Sequence, residues 1–203
     1  DHYDPVLVAL SVIVAILASY TALELIRKVH QNSGLAARLW LAGGAVSMGV
    51  GIWTMHFVGM LAYHYEDNFN YDLGITFLSL LVGILSAAFA LTIGASREPT
   101  AGRTLMGGIL LGLGIASMHY VGMEAMRMDA AMRYDLTWVG ASIVVAVVAA
   151  TAALYISARL VRLGGTWRSK WLAAIVMGFA ICGMHYTGMA GVVHEIGGEH
   201  SMS

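Results

Sequence analysis

The sequence predicts an all-α polytopic membrane protein: six transmembrane helices, arranged as three parallel two-helix repeats around a pseudo-threefold axis. Composition is the first observation behind this. Of 203 residues, 59% are hydrophobic and only 11% charged, where a soluble domain carries about 25% charged residues. The second is the placement of charge. Six stretches of 19 to 27 residues (5–23, 39–65, 73–96, 104–123, 136–158 and 171–194) contain no Asp, Glu, Lys or Arg. A helix needs roughly 20 residues to cross about 30 Å of hydrocarbon, and each stretch meets that length. The third is a six-residue motif that occurs three times.

Taken in order, the first span ends at Arg27, Lys28 and Arg38, and the second runs into Glu66, Asp67 and Asp72. Arg97 and Arg103 separate the third span from the fourth, which is followed by Glu124, Arg127, Asp129, Arg133 and Asp135. Arg159, Arg162, Arg168 and Lys170 separate the fifth from the sixth, and Glu195 and Glu199 follow the sixth. Nine of the 11 basic residues thus fall in the odd-numbered loops. The positive-inside rule places those loops in the cytoplasm and both chain ends outside, in the periplasm if the membrane is a bacterial inner membrane. Net charge is −1, so no basic excess points to nucleic acid. The single cysteine, Cys182, rules out an intrachain disulfide. Asp1 in place of an initiator methionine leads us to expect a segment of a longer protein, with a seventh crossing and any output domain outside it.

The motif stands near the outer end of each even span. It reads Met55-His56-Phe57-Val58-Gly59-Met60, then Met118-His119-Tyr120-Val121-Gly122-Met123, then Met184-His185-Tyr186-Thr187-Gly188-Met189. The histidines are 63 and then 66 residues apart, preceded by Gly51-Ile52, Gly114-Ile115 and Ala180-Ile181. An Ala-Leu echo at 22–23, 90–91 and 153–154 in the odd spans makes each repeat a helix pair, over about 5–63, 73–126 and 136–194 within one membrane-embedded domain, 1–203. Each pair starts and ends on the same side, so equivalent residues lie at equal depth. His56, His119 and His185 are therefore expected at one level near the outer surface.

This arrangement resembles the MHYT domain, a bacterial integral-membrane sensor module. The likeness covers essentially the whole chain; Phe57 departs from the motif tyrosine, and Val58 and Val121 from the threonine. The resemblance implies a sensor of a diatomic gas (O2, CO or NO) or of redox state, working through a bound metal, copper. It also implies cyclic-di-GMP synthesis or hydrolysis domains, or histidine kinases, as cytoplasmic output in the same full-length chain.

The residues themselves support metal chemistry. Imidazole and thioether are neutral ligands suited to Cu(I), and neutrality matters where desolvating carboxylates is costly. The three histidines also match a His₃ zinc site, so zinc is the alternative to copper. His and the Met four residues later share a helix face, whereas the Met before His points about 100° away. Met60, Met123 and Met189 can thus converge with the histidines, while Met55, Met118 and Met184 either face a second centre or pack between helices. Tyr120 and Tyr186 read as interfacial anchors or as hydrogen-bond donors behind the ligands. Gly59, Gly122 and Gly188 read as sites of close helix approach or helix ends. His64 and His194, with Glu66, Glu195, His2, His200 and Glu199, can form an outer site that attracts cations, although solvated loop residues are the default. Glu24 is expected to snorkel or to pair with a nearby base such as Lys28 at i+4.

Two other functions compete: a copper channel or transporter, and a haem protein ligated by two of the motifs. Conduction needs several weak sites in series, but Met48, Met106 and Met177 are the only deeper Met residues. No outer carboxylate stands at a spacing that reads as a general base, so no enzymatic activity is expected of the segment. The glycine-rich helices serve intrachain packing or a homodimer seam equally well.

Overall fold

The computed structural model describes residues 2–64, 70–94, 100–127, 131–162 and 166–195. Six helices account for nearly all of them: α1 (Pro5–Gln31), α2 (Gly34–Ala62), α3 (Leu73–Gly94), α4 (Ala101–Glu124), α5 (Leu136–Arg162) and α6 (Trp167–Ala190). All six are long and apolar enough to span a bilayer. Several run past the charge-free stretches at their basic end, taking in Arg27, Arg38, Arg103 and Arg168. Long basic side chains can lie along a helix and keep their charge in water.

Each helix packs on its neighbours in chain order, α1 closes on α6, and α2, α4 and α6 also touch one another. The even helices therefore form an inner triangle and the odd helices fill its outer grooves. Burial agrees: 56%, 56% and 61% of the apolar windows of α2, α4 and α6 are buried, against 22%, 22% and 28% for α1, α3 and α5. The outer faces of the odd helices carry Leu10, Ile13 and Leu17, then Leu78, Leu81 and Leu85, then Val144 and Val148, all exposed. In a membrane those faces meet lipid.

At the motif end the three repeats are tied alike. Strands β1 (His2–Tyr3) and β2 (Tyr63–His64), β3 (Asn70–Tyr71) and β4 (Met126–Arg127), and β5 (Ala131–Tyr134) and β6 (Val192–Glu195) form three antiparallel ribbons. Each ribbon joins the chain entering an odd helix to the chain leaving the following even helix. An aspartate then starts each odd helix: the Asp4, Asp72 and Asp135 carboxylates accept from the amides of Val6 (2.9 Å), Ile75 (3.0 Å) and Thr137 (2.9 Å). Their own amides donate to the carbonyls of Ala62, Ala125 and Gly191 at 2.8, 2.7 and 2.8 Å. An acidic cap satisfies orphan amides and complements the positive helix end.

At the basic end α1 reverses into α2 through two residues, and Gly34 takes φ +60°, a left-handed conformation that glycine adopts without steric cost. Glu24 does pair with a nearby base, but that base is not Lys28. It binds Arg27 at 3.0 Å and Lys170 of α6 at 2.9 Å, while Lys28 lies over the Trp40 ring. The expected i+4 partner considered α1 alone; ring closure brings α6 alongside, where Tyr20 and Trp171 also stack at 4.1 Å.

Candidate metal centre

His56, His119 and His185 meet at the centre of the inner triangle, fully buried. Their Nδ1 atoms form a triangle with edges of 3.0 Å (56–119), 3.3 Å (56–185) and 3.1 Å (119–185). The rings stand nearly perpendicular, at 84° to 87° to one another, like propeller blades. Among the described residues they form the one His/Cys/Asp/Glu group whose donor atoms converge as metal ligands would.

The donor set fits a cation. A neutral imidazole nitrogen either donates or accepts, and two states spread over three mutually touching atoms always leave one like pair. One Nδ1–Nδ1 contact is therefore repulsive whatever the tautomers. A cation accepting all three lone pairs removes the conflict. The centre of the triangle is about 1.8 Å from each nitrogen, close to the 2.0–2.1 Å of a zinc–imidazole bond.

Each ring is seated by the next repeat. A methyl group placed at Gly122 would lie 2.6 Å from His56 Nε2, one at Gly188 2.9 Å from His119 Nε2, and one at Gly59 2.5 Å from His185 Nε2. The close approach expected at these glycines is thus to an imidazole rather than to a helix backbone. All three Nε2 atoms are buried without a hydrogen-bond partner.

The six motif methionines are buried. Met55, Met118 and Met184 belong to the apolar cluster that also holds Ile52, Ile115 and Ile181. Met118 extends its Cγ towards α3, 3.4 Å from the position a Cβ would take at Gly83. Met60, Met123 and Met189 lie one turn beyond the histidines on the same helix face. Cys182 is buried and meets Ser11 of α1; it is not part of the histidine group. Of the outer cluster, Glu66, Glu199 and His200 lie outside the described residues, and only the backbone of His2, His64, His194 and Glu195 is described.

Behind the histidines lies a set of residues that the sequence reading passed over. Ser11, Ser79 and Ser142 are fully buried, one on each odd helix. Each donates its hydroxyl hydrogen to the carbonyl three residues back, at 2.7, 2.6 and 2.7 Å. A serine has one hydrogen to give, so the Tyr186 and Tyr120 hydroxyls donate to Ser11 and Ser142, both at 2.9 Å. These tyrosines also touch the preceding histidine ring edge-on. Where Phe57 lacks a hydroxyl, Trp53 one turn earlier donates its Nε1–H to Ser79 at 3.2 Å. The signal was available: the serines are spaced by 68 and 63 residues, like the Ala-Leu echo.

Trp53 thus substitutes for the missing tyrosine, and Ala116 and Cys182 occupy its position in the other repeats. Trp53→Ala should destabilise the chain by about 2 kcal/mol, below the usual core Trp→Ala cost because the ring is half-buried. Adding Phe57→Tyr to that variant rebuilds the second repeat's pattern and should recover about 1 kcal/mol; the same change in the native chain should gain less. Thermal unfolding of the four proteins in a double-mutant cycle measures the coupling.

Three repeats that jointly build one buried histidine centre inside a six-helix bundle define a polytopic membrane module. The chain belongs to the MHYT family: the family described as "Bacterial signalling protein N terminal repeat" matches residues 2–40, 49–108 and 112–172. It is 50% identical over 97% of its length to the bifunctional diguanylate cyclase/cyclic di-GMP phosphodiesterase MucR of Pseudomonas aeruginosa. It is 43% identical over 96% to the cyclic di-GMP phosphodiesterase NbdA of the same organism, and 41% identical over 92% to the signaling protein YkoW of Bacillus subtilis. The chain spans 29%, 25% and 24% of those three proteins. No solved structure matches it.

Proposed function

We propose that this chain is the copper-binding sensory module of a cyclic-di-GMP signalling protein in a bacterial inner membrane, with its motif end in the periplasm. The carrying observation is the buried triangle of three Nδ1 atoms, which has no self-consistent hydrogen-bonding solution and suits a cation. His56, His119 and His185 hold the metal, with Met60, Met123 and Met189 as the adjacent thioethers and Met55, Met118 and Met184 as the second candidate set. Neutral nitrogen and sulfur donors favour Cu(I) over zinc. Bound copper supplies an open coordination position for O2, CO or NO, or a one-electron change.

The chain's own residues carry the response. A shift of His185 moves Tyr186 and, through Ser11, α1; a shift of His119 moves Tyr120 and, through Ser142, α5. The enzymatic step belongs to an output domain outside this segment, in keeping with the relatives' names, and the segment itself has no reaction to catalyse.

Specific observations weigh against both competing functions. One turn from the histidines towards the basic end, the buried side chains of Ile52, Ile115 and Ile181 occupy the same faces, followed by Met48, Leu111 and Met177. An apolar plug of this kind opposes ion passage. Nitrogens 3.0 to 3.3 Å apart leave no space for a porphyrin between two of them.

The test is elemental analysis of the detergent-purified chain after anaerobic loading with Cu(I) and removal of loose metal by a chelator. One copper per chain, with an infrared C–O band after CO is added, is the expected result. No retained metal defeats the reading. Retained metal without any response to CO, NO or O2 leaves redox state or the metal itself as the signal.

A further inference from the structure

We propose that Gly59, Gly122 and Gly188 are positioning residues of the histidine centre. Each seats the imidazole of another repeat so that Nδ1, and not Nε2, is the nitrogen offered to an ion. This rests on the metal reading above and deepens it.

An imidazole carries two nitrogens that can ligate, and its χ2 torsion is broad and roughly two-fold. Helix position alone therefore leaves the choice of ligand atom open. In this fold the glycines decide it. The Nε2–Cδ2 edge of each ring lies where a side chain on the facing helix would stand. For the 56/122 pair the would-be Cβ is 2.6 Å from Nε2 and 2.8 Å from Cδ2; for 185/59 the distances are 2.5 and 2.9 Å, and for 119/188 they are 2.9 and 3.3 Å. Any side chain at these positions takes the space of the ring edge and turns or displaces the imidazole. No hydrogen bond at Nε2 holds this edge of the rings, because all three Nε2 atoms lack a partner, a costly state for a buried polar group. At the Nε2 edge, shape is what remains.

The order is cyclic. The histidine of α2 rests on α4, that of α4 on α6, and that of α6 on α2. No helix orients its own ligand, although His and Gly are three residues apart in every copy of the motif. The histidine serves the ion, and the glycine serves the histidine of another repeat.

Zinc(II), which is diamagnetic, is the probe. In the zinc-loaded chain with ¹⁵N-labelled histidine, NMR should show all three rings ligating through Nδ1 with Nε2 protonated. Gly122→Ala should then alter the His56 signals, Gly188→Ala those of His119, and Gly59→Ala those of His185. Each substitution should weaken zinc binding at least tenfold. Gly183→Ala is the control, because a Cβ there meets Val145 at an ordinary 3.5 Å; it should change neither. Nε2 ligation in any ring overturns the proposal. So do folded alanine variants whose partner histidine signals and zinc affinity match the native chain. If the alanine variants do not fold, the native spectrum alone decides.

If zinc does not bind, Cu(I) loading decides the metal reading, and nuclear Overhauser contacts in the metal-free chain decide the seating separately. Contacts from the His56 ring to Gly122 Hα, His119 to Gly188 and His185 to Gly59 uphold it. Their absence removes it.

Discussion

His119→Ala will abolish metal retention. The three nitrogens form a closed triangle, so losing one leaves two donors and an empty socket beside Gly188. Altering a residue behind a metal ligand typically costs 10–100-fold in affinity; removing a direct ligand should cost more than about 100-fold. The effect on stability separates this from general damage. A ligand present at about 1,000 times its dissociation constant stabilises the native state by about 4 kcal/mol, so the native chain should melt higher when loaded with Cu(I). His119→Ala should lose that increment entirely. In its metal-free form the cavity left by the ring is offset in part, because His56 and His185 can now pair as donor and acceptor. A variant that still melts higher with copper would remove His119 from the centre. Met123→Leu against Met118→Leu then sorts the thioethers. The first should weaken copper binding if the following methionines ligate, and the second should leave it unchanged because Met118 packs towards α3.

Gly112→Ala should be among the most destabilising single changes in the chain. A Cβ at this position would stand 2.6 Å from the Val147 Cα and 2.7 Å from its backbone nitrogen. Backbone atoms cannot rotate away, so α4 and α5 must separate. Overpacking of this kind costs about 1–3 kcal/mol, and contact with main chain argues for the upper end. The same approach recurs at Gly49 on Ile84 of α3 and Gly178 on Ile16 of α1, so each inner helix is seated against the odd helix that follows it. Gly140→Ala is the informative contrast. Nothing lies within 4 Å of a Cβ there, and replacing an unneeded helical glycine gains about 0.5–1 kcal/mol. Thermal unfolding of both variants in one detergent should move in opposite directions. A Gly112→Ala chain as stable as the native one would show that α4 and α5 do not pack this closely.

Much of the architecture was legible because a bilayer makes few demands and makes them plainly. Length, charge-free runs and the count of basic residues in alternate loops suffice for six spans and their pairing, and the motif's repetition brings His56, His119 and His185 to one level. The second partner of Glu24 was not legible, because Lys170 is 146 positions away in the sequence and comes alongside only when α6 closes on α1. Helix periodicity also tells which face a histidine occupies but not which nitrogen it turns inward, since that depends on a glycine of another repeat. The serines were readable in principle. Ser11, Ser79 and Ser142 share the register of the Ala-Leu echo, but a lone hydroxyl in an apolar run carries no signal until its partner across the helix interface is known.

The number of repeats has a consequence of its own. Two copies of this motif facing each other, or four in a ring, could assign their protons alternately and leave every Nδ1 paired in the absence of any guest. Three cannot. An odd count leaves at least one like pair of Nδ1 atoms at the heart of the bundle under any arrangement of the chain's own hydrogens. On the metal reading proposed above, triplication is the recognition element: it turns an imidazole cluster that could otherwise pair its Nδ1 atoms into one that a cation completes.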